Sequence, residues 1–285
     1  MVRRDPRLFG IAGTRWTLAK IHEYCAWLRT ATPGGLSRLL ARLEISWKRG
    51  RPHIHSPDVN YTAKLARVAT LAEQVRAARG RLVLLYLDEF TFYRQPTVAH
   101  AWEEHGHDQP RAERSYRSDT PTRVVGALNL VDGRTHYRRR SKIGVAEVVG
   151  FYEDLHTAYP QAEQIIAVQD NWPVHTHPDV LVALQEQNDP WPTHNPPDWP
   201  TEPSAGAQKR WGQLRLPIQI VRLPTYASWT NPIEKLWRKG KQEVLHLHRW
   251  AGQLQVLREE FLRFLAQYAF GSLDLLRYVG LPVPD

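Results

Sequence analysis

Apolar residues near the start of the chain recur at helical steps. Leu18, Ile21, Tyr24, Cys25 and Leu28 lie three or four positions apart. A turn follows at TATPGG, and Leu36, Leu39, Leu40 and Leu43 then repeat the spacing. The pattern predicts two short helices joined by a Gly-containing turn, with Ser37, Arg38 and Arg42 on the face opposite the leucines. Residues 58–79 carry Leu65, Val68, Leu71 and Val75 at the same period and predict one connecting helix ended by Gly80.

The pattern changes after Gly80. RLVLLYLDEF is a continuous apolar run too short for a buried helix, which predicts a central strand ending at Asp88. RVVGALNLVDGRTHYRRR gives two strand-like runs around Asp132-Gly133, a hairpin signal. Helical spacing returns at 143–158, and QIIAVQD (164–170) is another apolar strand, closing on Asp170. PDVLVALQEQ then reads as a helix, IQIVRL (218–223) as a strand, and IEKLWRKGKQEVL as a helix carrying Glu234. Three antiparallel strands followed by alternating helices and strands predict an α/β, ribonuclease-H-like domain over 81–285. A small all-α module at 1–56 and a connecting helix at 57–80 precede it.

Charge sharpens the first module. The chain has 285 residues, 42% of them hydrophobic, and a net charge of +9. Residues 1–56 hold eleven Lys/Arg against three Asp/Glu, so +8 of that charge falls in the first fifth of the chain. Concentrated positive charge is the footprint of a polyanion partner. Two short helices with outward arginines on the second match a helix-turn-helix whose second helix enters the major groove of double-stranded DNA; a plain helical hairpin has the same leucines. WKRGRPHIH follows. Its Gly50-Arg51-Pro52, flanked by Lys48 and Arg49, is an extended basic strip, since proline disfavours helix just before it. It resembles the Arg-Gly-Arg-Pro core of an AT-hook in a narrow minor groove, although a basic wing on phosphates reads the same. His53 and His55 alternate on this strip and read as surface residues.

The one cysteine, Cys25, excludes an internal disulfide and a thiolate cluster, so any metal is held by oxygen or imidazole. No run of about 18 apolar residues and no apolar secretory segment is present, so the expected location is the cytoplasm.

Each of three acids has an ordinary explanation on its own. Asp88 or Asp170 can end a strand, and Glu234, three places after Asn231-Pro232, can serve a helix start. Together they fit something else. In open mixed sheets, groups at the carboxyl ends of adjacent central strands share one crevice, and a helix after the 218–223 strand can lean Glu234 toward it. Like charges so close raise each other's proton affinity, and a divalent cation with hard oxygen ligands offsets this.

The set LDEF, DNWPVH and PTYASWTNPIEKLW resembles the DDE transposases of the mariner-like superfamily, in particular its bacterial insertion-sequence branch. The resemblance spans most of the chain. It implies that Asp88, Asp170 and Glu234 are the catalytic and metal-holding triad, that Asn171, His175 and Asn231 are supporting, and that two Mg²⁺ or Mn²⁺ ions serve it. It further implies metal-dependent strand cleavage and strand transfer, cut-and-paste into TA targets, and a homodimer that pairs two transposon ends. Rival expectations are a non-catalytic, end-binding repressor and a nuclease without strand transfer. The family usually opens with two helix-turn-helix units, and this chain is expected to begin at the second. The 64 positions between Asp170 and Glu234 exceed the usual spacing. The extra length falls at 188–217, whose seven prolines resist regular structure and which carries Trp191, Trp199 and Trp211. Beside Lys209 and Arg210 these aromatics suit stacking on splayed bases, or packing as a lid.

Overall fold

The structure is a computed structural model that describes residues 2, 4–25, 27, 32–48, 55–78, 80–193 and 195–283. It forms two compact units, Met1–Ile54 and His55–Asp285.

In the first unit, Thr17 and Thr32 start the helices. Thr17 Oγ1 accepts from the Lys20 amide and Thr32 Oγ1 from the Gly35 amide, which satisfies donors that a first helical turn leaves unpaired. These caps open α1 (Leu18–Tyr24) and α2 (Pro33–Arg42). The two helices and their flanks enclose a small core of Trp16, Ile21, Cys25 and Leu36. Two expectations change. The first helix stops at Tyr24, and Leu28 lies outside the described residues. Leu43, read as core, is 60% exposed just past the end of α2. Ser37, Arg38, Arg42 and Lys48 are exposed, whereas Arg49 and Arg51 lie outside the described residues.

The second unit begins with α3 (Tyr61–Ala77) and is organised by one five-stranded sheet, ordered β3-β2-β1-β4-β5. β1 (Leu82–Tyr93) pairs antiparallel with β2 (Pro121–Asn129), which pairs antiparallel with β3 (Thr135–Arg140). On its other side β1 runs parallel to β4 (Gln164–Gln169), and β4 parallel to β5 (Ile218–Arg222). The period-2 alternation of strand side chains makes two cores. Leu84, Tyr86, Phe90 and Phe92 pack with α3, α7 (Ile233–Gly240), α8 (Leu254–Ala266) and α9 (Leu273–Val279). Val83, Leu85 and Leu87 pack on the opposite face with α4 (Val145–Ala158), α5 (Pro178–Leu181) and α6 (Ala205–Trp211).

Three expectations are corrected here. β1 does not end at Asp88 but runs on to Tyr93, because β2 keeps pairing with it as far as Tyr93↔Pro121. PDVLVALQEQ is helical only through Leu181; the chain then leaves the helix to bridge Leu184 to Leu216. The 188–217 segment is not wholly irregular, since Ser204 caps α6 inside it.

That segment is fastened to its own unit by charge and aromatic faces. Arg222, 4% exposed, donates to Asp189 Oδ2 at 2.6 Å and to the Pro192 and Trp191 carbonyls. Lys64 and Arg67 of α3 lie 5.7 and 5.5 Å from the Trp191 ring centre. Of the two roles expected for these tryptophans, Trp191 and the buried Trp211 serve packing.

Candidate active site

Strand register brings the first two acids together. The parallel ladder between β1 and β4 runs from Leu82↔Gln164 to Tyr86↔Val168. Asp88 and Asp170 each lie two positions beyond its last pair, so they stand at the same level of neighbouring strands. Asp88 stays in β1, opposite Gly126, while β4 has ended one residue before Asp170. The crevice therefore opens where one strand of the pair stops and the other continues.

Trp237 and the Asn-Pro step set the third acid. Asn231, 3% exposed, donates from Nδ2 to the Leu87 carbonyl at 2.9 Å, and its backbone carbonyl accepts from the Glu234 amide at 3.2 Å. Pro232, with φ −59°, is pre-set for a helix start. α7 thus begins beside β1, with Glu234 in its first turn. One turn on, the Trp237 indole donates to Asp88 Oδ2 at 2.9 Å and stacks on Phe90, 5.3 Å between ring centres.

The electrostatics register this convergence. Burial pushes the Asp88 carboxyl up to about 8, and Glu234, Glu89 and Asp170 push it the same way; only the indole hydrogen bond opposes them. Burial also raises Glu234, with Asp170 adding to the rise and Lys241 and Arg238 opposing it. Asp170 is the open member, its side chain 52% exposed and its Oδ1 accepting from the Trp172 amide at 2.9 Å.

The opposite face of β1 adds two residues. Glu89 alternates away from Asp88 and meets His175, which is 3% exposed in a 3-10 turn, Pro173–Thr176, just after β4. His175 Nε2 lies 3.6 Å from Glu89 Oε2 and 3.6 Å from Asp170 Oδ1. Asn171 joins the strand ends, donating from Nδ2 to the Leu223 carbonyl at 2.7 Å beyond β5. Glu89 and Trp237 are not among the site residues expected from the sequence. Period-2 alternation within LDEF was the available signal for Glu89; nothing local marks a tryptophan as a carboxylate's donor.

The residues suit a divalent cation. Asp88, Asp170 and Glu234 offer hard oxygen donors, and the raised proton affinity of Asp88 and Glu234 is what an added cation relieves. Buried Glu89 Oε1 and Asn231 Oδ1 have no hydrogen-bond partner among the described residues.

Residues 83–257, more than half of the chain, match the DDE superfamily endonuclease family. The chain belongs to the DDE superfamily endonucleases. A curated relative of this DDE endonuclease, the "Insertion element IS630 uncharacterized 39 kDa protein" of Shigella sonnei, is 20% identical over 97% of this chain and 72% of its own length. Among solved structures, the Mos1 mariner paired end complex with Mn aligns with a TM-score of 0.54 at 14% identity, covering 95% of this chain and 77% of that one. The Mos1 paired end complex with Mg gives the same TM-score and coverage. At that identity the likeness speaks for the fold, a mixed sheet flanked by helices of ribonuclease-H type. No helix among the described residues is long and apolar enough to cross a membrane.

Proposed function

We propose that this DDE endonuclease is a transposase that cleaves DNA strands at the ends of an insertion element and joins them to target DNA, with Asp88, Asp170 and Glu234 as its metal-holding, catalytic acids. One observation carries the assignment: Asp88 and Asp170 share a level at the end of the β1–β4 ladder, and Asp88 feels both Asp170 and Glu234. A divalent ion bound there, Mg²⁺ or Mn²⁺, supplies Lewis acidity and an activated oxygen nucleophile for in-line attack on a phosphodiester. The chain's own part is positional. Trp237 orients the Asp88 carboxylate, Asn231 fixes the first turn of α7 that carries Glu234, and Asn171 keeps the β4 and β5 ends joined.

The first unit is the DNA-reading part of the proposal: exposed Ser37, Arg38 and Arg42 on α2 would face the groove, and Lys48, Arg49 and Arg51 the backbone. Cut-and-paste insertion at TA dinucleotides, by a homodimer holding two ends, completes it. The test is nicking of labelled end-sequence DNA with Mg²⁺ or Mn²⁺. Wild type should nick and Asp88→Asn should not, while both bind; equal cutting by the two would remove Asp88 from the chemistry.

A further inference from the structure

The Asp88–Asp170–Glu234 assignment leaves Glu89 and His175 without a task, although both keep unused polar capacity beside Asp170. Neither ring nitrogen of buried His175 has a hydrogen-bond partner among the described residues, and Glu89 Oε1 has none either. The ring is held in place: the His175 amide donates to the Trp172 carbonyl at 3.0 Å, and the Trp172 ring meets it edge-on at 5.3 Å. That leaves Nε2 facing two carboxylates, at 3.6 Å from each. A hydrogen bond from an imidazolium to a carboxylate would close to about 2.7–2.9 Å. Two ligands about 2.0–2.1 Å from one shared ion, at tetrahedral to trigonal angles, lie roughly 3.4–3.6 Å apart. One ligand atom from each of Glu89, Asp170 and His175 falls within 4.8 Å of the other two.

We propose that Glu89, Asp170 and His175 form a second divalent-cation pocket on the face of β1 opposite Asp88, selective for a first-row transition ion over Mg²⁺, with Asp170 shared between the two sides. The proposal rests on the assignment of Asp170 as a metal-holding carboxylate. Selectivity follows from the donor set, because imidazole suits transition ions whereas Mg²⁺ demands oxygen ligands and retained water. An ion there also constrains Asp170, the most open of these carboxylates.

Mn²⁺ is the probe, added to the tag-free, full-length chain without DNA, and pulsed electron paramagnetic resonance is the readout, since it detects ¹⁴N coupling from a ligating imidazole. The coupling should appear in wild type, persist in Asp88→Asn, withstand excess Mg²⁺ and vanish in His175→Gln. Glu89→Gln should weaken the nitrogen-coupled site at least about tenfold, and it decides the matter if His175→Gln does not fold. Mn²⁺ that binds without ¹⁴N coupling, or coupling unmoved by these substitutions, overturns the pocket. Failure of the Asp88–Glu234 assignment looks different: there, Asp88→Asn and Glu234→Gln leave oxygen-only Mn²⁺ binding unchanged whatever the nitrogen signal does.

Discussion

Asp88 and Glu89 are neighbours in one strand, yet their side chains are supported in opposite ways. Asp88 faces the core built with α7 and α8. There an indole donates to it, and the same indole is locked in an aromatic stack with Phe90, which in turn packs on Phe261. Glu89 faces the other core, where its partner is a histidine with unused nitrogens and no hydrogen bond closes the contact. One side of the site is therefore oriented by an indole hydrogen bond before any ligand arrives, and on the other no hydrogen bond joins the two side chains. The lesson is that a period of two residues divides a site as well as a core.

The comparison predicts a graded set of responses. Asp170→Asn touches both sides and should lower metal-dependent nicking by at least about 10³-fold, roughly 4 kcal/mol of transition-state stabilisation, with DNA binding retained in a filter assay. A loss below tenfold would mean that the two sides do not meet at Asp170. Asp189→Asn lies outside both sides and leaves the buried Arg222 guanidinium unpaired. It should cost about 3 kcal/mol in urea unfolding while leaving the metal dependence of nicking unaltered; altered dependence would draw the 188–217 segment into the site.

Gly126→Ala breaks only the packed side. Its added Cβ would sit 2.5 Å from the Trp237 ring, with a backbone carbonyl at 3.6 Å behind it. Overpacking should cost about 1–3 kcal/mol, and nicking should fall as Trp237 leaves Asp88, while Mn²⁺ binding at Glu89 and His175 is unmoved. Asp58 tests what secures the loop leading to α7. Burial alone would raise its carboxyl, but Lys64 and the Thr225 and Asn60 amides together hold it at about 2. With a folded value below the unfolded 3.8, Asp58 contributes in full above pH about 4 and loses its contribution as pH falls toward 2. Asp58→Asn should cost about 2 kcal/mol at pH 7 and flatten the acid limb of the stability curve. An unchanged limb would locate that acid sensitivity elsewhere.

Much of this arrangement was legible along the chain. Apolar runs marked β1, β4 and β5, because strands covered on both faces need side chains that tolerate burial on both. Helical spacing marked α3, α4 and α7, and Asn231-Pro232 marked where α7 starts. The end of β1 was misread because an acid looks like a stop signal, whereas β2 supplies hydrogen bonds past it as far as Tyr93. PDVLVALQEQ was misread because its leucines and valines serve a short turn of helix and then a bridge to Leu216, which the local pattern cannot separate from one longer helix.

Sequence alone determined which residues could be carboxylate ligands, which runs had to be buried, and where a basic module precedes the sheet, since these depend on residue chemistry and short-range periodicity. Tertiary structure decided that Asp88 and Asp170 stand level across a parallel ladder, that a tryptophan 149 positions away donates to the first of them, and that Glu89 and His175 share Asp170 from the far face. Those facts depend on strand register and on long-range contacts, whose energies are set between segments and so are written in no single stretch of the chain.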